Sequence, residues 1–212
     1  MKTLKERYLF GLLVVIAFLQ LFPLYWLITF SLKTNNEIFG DNVLGLPRFW
    51  RWQNYAAAFA EGGILRYFIN SVLYSALTVT ISGILTAMAS YAIARMRWKL
   101  SGFVFTLFTL GIMIPTHAAL LPLFQLIDRL GLKGGYVGLL IPYVAFALPM
   151  SIMILTGFFK GIPREMEETA YLDGCGIFRC FITIMFPLIK AGLATASVFT
   201  FLGTWNELLF SN

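Results

Sequence analysis

The sequence predicts an all-α membrane protein with five transmembrane helices. Of its 212 residues, 59% are hydrophobic and only 12% are charged, whereas a soluble domain usually carries about 25% charged residues. So few charges cannot cover a surface that faces only water, and part of the surface must therefore face lipid. The apolar runs are long and continuous, as transmembrane helices require.

Charged residues divide the chain into the predicted spans. Uncharged runs cover 8–32, 67–94, 100–127 and 134–159, and each exceeds the roughly 20 apolar residues that cross a bilayer. A fifth, shorter run lies between Lys190 and Glu207. It spans the membrane if 187–210 is one helix, because charged side chains near helix ends reach back to the interface.

The distribution of Lys and Arg predicts that the N-terminus lies in the cytoplasm. With this orientation, ten of these cations fall on inner segments and six on outer segments, as the positive-inside rule requires. This topology explains the net charge of +6 better than nucleic-acid binding does. We therefore expect one multi-pass domain over 1–212 in a bacterial-type cytoplasmic membrane, with 33–66 outside and 160–186 inside.

The inner loop 160–186 contains a strongly polar stretch, EETAYLDGCG. Pro163 suits the first position of a helix, and acidic residues are favourable in its first turn. Gly174 can end that helix with a positive φ. Four apolar residues then follow at helical spacing and predict one apolar face: Phe178, Phe181, Ile182 and Met185. The pattern predicts a helix–turn–helix whose apolar face needs a cover, and its acidic edge favours a protein over lipid headgroups.

This loop resembles the EAA loop of ABC-importer permeases. The family pattern is E-A-A, three residues, G, nine residues, then I-x-L-P. It matches Glu168-Thr169-Ala170, Gly174 and Ile184-Met185-Phe186-Pro187, with Thr169 and Phe186 as mild departures. The segments YFINS (67–71), ASYAIAR (89–95), MIP (113–115), IPREMEETAYLDG (162–174) and TWNEL (204–208) also resemble landmarks of the maltose-permease-like carbohydrate branch. The resemblance covers nearly all of the chain from Leu21 onward.

The resemblance implies that the loop docks in a groove of a cytoplasmic ATPase and transmits its closing motion to the spans. Glu168 would pair with a basic group of the ATPase, Ala170 would pack closely, and Gly174 would let the backbone turn. The loop residues expected to take part are Glu167, Glu168, Thr169, Ala170, Asp173, Gly174, Ile184 and Pro187. The implied partners are two copies of the ATP-binding subunit, a second permease subunit and an extracytoplasmic solute-binding protein, with membrane lipid and without nucleic acid.

No catalytic residue or cofactor is predicted for this chain. It contains no G-x-x-x-x-G-K-[ST] phosphate loop, so ATP hydrolysis is expected in a partner subunit. Cys175 and Cys180 have no accompanying Cys or His cluster, which argues against a disulfide framework or a metal site. The alternative function is a self-contained secondary transporter. It would need ion-coupling carboxylates within the spans, and only Glu207 comes close to meeting that need.

Polar residues near the ends of two spans are candidates for a sugar pathway: Asn70, Ser75, Thr204, Trp205, Asn206 and Glu207. An indole ring can stack on a sugar, while amide and carboxylate groups bind its hydroxyls. Interface anchoring explains Trp205 and Glu207 equally well, and packing hydrogen bonds are the favoured explanation for Asn70 and Ser75. The family normally has a sixth span after the W-N-E region, so this chain is expected to be C-terminally truncated.

Overall fold

In the computed structural model, residues 4–207 are described, and within this range all regular structure is helical. The helices are α1 (Leu4–Ser31), α2 (Asn35–Ile38), α3 (Gln53–Ala60), α4 (Ile64–Arg95), α5 (Ser101–Gly111), α6 (Thr116–Arg129), α7 (Tyr136–Gly161), α8 (Glu165–Leu172), α9 (Ile177–Cys180), α10 (Phe186–Leu188) and α11 (Lys190–Trp205). A π-helical turn, Phe181–Met185, joins α9 to α10. The described residues divide into two compact units between Tyr67 and Phe68.

The first unit contains α1, α2 and α3. Thr34 and Glu37 form a capping box at the start of α2, in which each side chain binds the other residue's backbone N–H. The Asn54 amide donates to the carbonyls of Ser31 (2.9 Å) and Lys33 (3.0 Å), which ties the start of α3 to the end of α1. Specific hydrogen bonds therefore hold the segment after the first span in place.

Glu37 accepts most of the hydrogen bonds that join residues 34, 42 and 48 of this segment. Its buried carboxylate accepts hydrogen bonds from the Arg48 backbone N–H (2.7 Å), the Asn42 amide (3.2 Å), and both the backbone N–H (3.2 Å) and hydroxyl (3.1 Å) of Thr34. The Arg48 N–H contributes most, and these donors outweigh desolvation and lower the pKa of Glu37 from 4.5 to about 2. The ionised carboxylate thus links Thr34 to Arg48, at the two ends of the segment 34–48.

Three helical stretches are long and apolar enough to cross a membrane: Tyr8–Ser31, Ile64–Arg95 and Tyr136–Gly161. Two bent helix pairs raise the number to five if each pair is counted as one span. The predicted five spans correspond to these three stretches and two pairs. In place of one helix over 100–127, α5 and α6 meet at a bend of 99°. Pro115 lies at this break, where it lacks an N–H donor and disfavours helical backbone at the preceding residue.

The fifth predicted span also differs from a single helix over 187–210. The stretch Ile177–Leu188 meets α11 at a bend of 74°, and α11 covers only Lys190–Trp205. Residues 208–210 of the predicted span lie outside the described residues. Sequence composition had placed the start of this span at Pro187, but the helix continues backward through the π-helical turn and bends after Leu188.

In the second unit, α7 packs against both α5 and α11. Two glycines permit the close approach of these helices. A Cβ atom at Gly111 would lie 3.0 Å from the ring of Pro149, and one at Gly192 would lie 2.6 Å from two ring atoms of Phe158. Small residues at helix crossings commonly serve this purpose in membranes, where close packing replaces the hydrophobic driving force.

One face of α4 carries buried hydroxyl residues at intervals of three or four: Ser75, Thr78, Ser82, Thr86 and Ser90. The Ser90 hydroxyl donates to the carbonyl of Ile152 on α7 (3.3 Å). In contrast, the hydroxyls of Ser75, Thr78 and Thr86 have no hydrogen-bond partner. The packing hydrogen bond expected for Ser75 is therefore not found within the described residues.

The main hydrophobic core lies at the loop end of the second unit. It combines residues of α4, α7, α8 and the stretch from α9 to the start of α11: Ala87, Tyr91, Leu155, Phe159, Ala170, Cys180, Met185 and Ile189. Both cysteines are free, and Cys180 belongs to this core. The loop is thus packed onto the ends of two long helices.

Candidate functional site

The polar loop folds as a helix, a glycine turn and a second helix. Helix α8 begins after Arg164, whose carbonyl accepts the backbone N–H groups of Glu167 (3.0 Å) and Glu168 (3.1 Å). Beyond α8, Gly174 has a φ of +78°, a conformation that residues with a Cβ atom disfavour. Its N–H donates to the carbonyl of Tyr171 (3.0 Å), which closes the end of the helix.

Helix α8 separates the predicted loop residues into two faces. Glu167 and Ala170 are buried and lie three residues apart, so they share the inner face. Glu168, Thr169 and Asp173 are exposed. The most exposed large side chain beside them is Leu172, with 88% of its surface accessible. The neighbouring glutamates at 167 and 168 therefore face opposite environments, a distinction that the sequence pattern does not make.

The second half of the loop does not present the single apolar face that its spacing predicts. Met185 is buried and Phe181 is half-buried, whereas Phe178 and Ile182 are exposed. The π-helical turn accounts for part of this difference, because it takes more residues per turn than the α-helical period assumes. Of the remaining predicted loop residues, Ile184 is half-buried and Pro187 is exposed.

Arg95 is the loop contact that the sequence analysis missed. Its guanidinium forms an ion pair with the Glu167 carboxylate, and both side chains are buried, with 4% and 9% of their surfaces accessible. The same guanidinium donates to the carbonyls of Phe159 (3.2 Å), Ile162 (2.8 Å) and Pro163 (3.3 Å). The sequence contained Arg95 within ASYAIAR, but its partner lies 72 positions away and no local pattern connects the two.

A cavity of about 350 Å³ lies between α6, α7 and α11 and contains two of the predicted pathway residues, Thr204 and Glu207. Its other polar lining residues are Thr116, Tyr143, Ser151 and Thr200, and its apolar lining includes Phe146, Met150 and Phe199. Hydroxyl and carboxylate groups beside aromatic rings can bind a polyhydroxylated molecule. Thr116, Tyr143, Ser151 and Thr200 were not predicted, because they are spread over three helices and no local pattern connects them.

The other predicted pathway residues do not share this cavity. Ser75 and Trp205 line a separate, apolar groove of about 550 Å³ between α4 and α11. Asn70 accepts a hydrogen bond from the hydroxyl of Tyr136 (3.2 Å), and Asn206 is exposed. The structure therefore brings together only Thr204 and Glu207 among the six candidates. Within residues 4–207, no group of three or more His, Cys, Asp or Glu side chains could hold a metal ion.

Comparison with known proteins places the chain in a family. Residues 79–211 match the family described as binding-protein-dependent transport system inner membrane component. A probable ABC transporter permease of Bacillus subtilis, YurM, is 36% identical over 96% of this chain and 66% of its own length. The diacetylchitobiose uptake permease NgcG of Streptomyces coelicolor is 34% identical, over 94% and 66% of the two lengths. The chain therefore spans about two thirds of the length of these relatives.

A third relative and a solved structure agree with this match. The trehalose transport permease SugB of Mycobacterium tuberculosis is 32% identical, covering 90% of this chain and 69% of its own length. The fold is that of a chain in the crystal structure of a bacterial ABC transporter involved in alginate import, with a TM-score of 0.81, 23% identity, and coverage of 97% of this chain and 74% of that chain. This chain belongs to the family of binding-protein-dependent transport system inner membrane components.

Proposed function

We propose that this chain is a permease subunit of an ATP-driven importer and that it moves a sugar or sugar-like solute across the cytoplasmic membrane. Family membership supports the importer class. Relatives that transport diacetylchitobiose and trehalose, according to their names, support the solute class. The polar cavity beside Thr204 and Glu207 is the proposed contact with the solute, because it combines hydroxyls, a carboxylate and aromatic rings.

The observation that carries the proposal is the two-faced loop. Its inner face, with Glu167 and Ala170, is fixed to the core, while its outer face presents Glu168, Leu172 and Phe178. Leu172 and Phe178 expose 88% and 77% of their surfaces. Exposed large apolar side chains on the same loop as an exposed acidic group favour a protein partner with an apolar groove and a basic rim. We assign that partner as a separate ATPase subunit, of which the complex holds two copies.

The remaining parts of the proposal concern topology and assembly. The N-terminus and loop 160–186 lie in the cytoplasm, and 33–66 lies outside, as the ten-to-six distribution of Lys and Arg favours. A second permease subunit and an extracytoplasmic solute-binding protein complete the importer. This topology predicts that Phe39→Cys reacts with an impermeant maleimide in intact cells, whereas Lys99→Cys, between the second and third spans, reacts only after permeabilisation. Both side chains are exposed and lie outside the proposed ATPase surface, and both variants are made in a background in which Cys175 and Cys180 are replaced by alanine.

The test of function begins with purification of the complex from host membranes in detergent and identification of the copurifying subunits by mass spectrometry. Membrane vesicles are then assayed for uptake of diacetylchitobiose and trehalose, the solutes in the names of two relatives. We expect uptake to require ATP and to survive ionophores. Uptake that stops with ionophores and continues without ATP would establish a secondary transporter and refute the proposal.

A further inference from the structure

The buried ion pair between Arg95 and Glu167 joins the end of a membrane span to the proposed coupling loop. Arg95 is the last residue of α4, and Glu167 lies in the first turn of α8. The guanidinium also donates to the carbonyls of Phe159, Ile162 and Pro163, at the end of α7 and in the connection to α8. The Arg95 side chain, which belongs to α4, therefore binds both the end of α7 and the loop.

A second contact lies one helical turn earlier on α4. The hydroxyls of Tyr91 and Tyr171 are 3.3 Å apart, and the ring of Tyr91 packs against those of Phe159 (5.6 Å between centroids) and Phe181 (5.0 Å). Tyr91 and Arg95 are four residues apart, so they lie on the same face of α4. The last turn of α4 is thus attached to both halves of the loop.

The geometry of Arg95 uses properties that a lysine lacks. A guanidinium carries five N–H donors in a planar fork and can bind a carboxylate and several carbonyls at once. The Phe159 carbonyl at the end of α7 accepts the Ile162 N–H (3.2 Å) and takes Arg95 as a second donor, and a cation there is also favoured by the helix dipole. Because the pair is buried, removal of one partner leaves an uncompensated charge, whereas replacement of both by apolar residues is often neutral for stability.

We propose that Arg95 is a positioning residue that makes α4, α7 and the coupling loop move as one piece, so that displacement of the loop is passed to α4. This inference rests on the proposed function, since it assumes that an ATPase moves the loop. Glu167 is the loop's link to the membrane helices, and Glu168, which is exposed, is left for the ATPase. The two adjacent glutamates thus serve the two sides of the coupling element.

The test compares three variants in the purified complex with its copurified ATPase, reconstituted in lipid nanodiscs. Arg95→Met leaves Glu167 unpaired, Arg95→Met with Glu167→Leu removes both buried charges, and Arg95→Lys keeps the charge without the fork. The matched control applies the same double change to the exposed pair of Lys133 and Asp128, whose side chains are 60% and 57% accessible at a distance of 3.7 Å.

The readouts are ATP hydrolysis and the maleimide labelling rate of a cysteine at Thr204, which lines the polar cavity. Labelling is measured with and without ATP and vanadate, in a background in which Cys175 and Cys180 are replaced by alanine. This reporter does not require the identity of the solute. A purely structural role for the pair predicts that the double variant, once assembled, labels as the wild type does.

We expect the double variant to assemble and hydrolyse ATP, while the ATP-dependent change in labelling rate falls about tenfold or more, within the usual range of coupling between sites. Arg95→Lys should lose part of the response, Arg95→Met should reduce assembly, and the exposed-pair control should match the wild type. A double variant that assembles and keeps the full response overturns this inference and leaves the proposed function unaffected. If ATP does not change the labelling rate of the wild-type complex, both the proposed function and this inference are overturned.

Discussion

Replacement of Gly174 by valine should weaken the loop as a docking element, although no atom obstructs the new side chain. Gly174 has a φ of +78°, and a Cβ atom placed there would meet nothing within 4 Å. The cost therefore comes from the backbone, since left-handed conformations disfavour residues with a Cβ atom by about 1–2 kcal/mol, and β-branched residues most of all. The variant loop should leave its folded conformation more often.

Gly176 supplies a matched control two residues away. Its φ of −72° and ψ of 160° suit any residue, and a Cβ atom there also meets nothing within 4 Å. Valine at Gly176 should be neutral or slightly stabilising, because loss of a glycine reduces the freedom of the unfolded chain by about 0.4–1 kcal/mol. Because this effect on the unfolded chain is common to both variants, they should differ only by the left-handed strain, roughly 1–2 kcal/mol, or about 5- to 30-fold in an equilibrium constant.

The assay is titration of the copurified ATPase subunit, fluorescently labelled, onto the permease in nanodiscs, followed by measurement of ATP hydrolysis. Gly174→Val should raise the dissociation constant well above that of Gly176→Val, and both proteins should insert into the membrane normally because no span is changed. Equal affinity and equal hydrolysis for the two variants would refute the role of the left-handed turn. Loss of both variants from the membrane would instead show that the loop is needed for insertion.

Two further predictions concern other parts of the fold. Gly192→Ala should lower the thermal stability of the purified protein, because its Cβ would lie 2.6 Å from the Phe158 ring, whereas Gly157→Ala, with nothing within 4 Å, should not; equal melting temperatures would contradict this. Amide protection of residues 34–48 should be complete above pH 4.5 and fall toward pH 2, because the ionised form of Glu37 is the stabilising one and its pKa is lowered to about 2. Glu37→Gln should show reduced protection at pH 7; hydrogen exchange that matches the wild type would remove Glu37 from this role.

The long spans were predictable because hydrophobic length is a property of composition. The runs over 67–94 and 134–159 correspond closely to α4 and α7. The run over 100–127 did not reveal its bend of 99°, because no charged residue interrupts it on either side of Pro115. A proline within an apolar run is compatible with a mild kink or a complete break, and packing of the neighbouring helices decides between them.

The loop was predictable in outline for a different reason. Proline, clustered glutamates and glycine each have a strong local preference, and these preferences agree on a helix that ends near Gly174. The faces of α8 were not predictable, since Glu167 and Glu168 have the same chemistry and only their surroundings distinguish them. The sequence also could not show which of the six pathway candidates share a cavity. Thr204 and Trp205 are adjacent in sequence, but each lines a different cavity.

Because Arg95 is the last residue of α4, the loop is joined to one end of a long helix. From Phe68 to Arg95 this helix is uninterrupted, and at 1.5 Å per residue it is about 40 Å long. Its polar contacts with the first half of the loop include those of Tyr91 and Arg95, in the last turns of the helix. If the loop transmits the movement of an ATPase, as proposed, a tilt of α4 by about 10° at that end would displace the opposite end by about 7 Å.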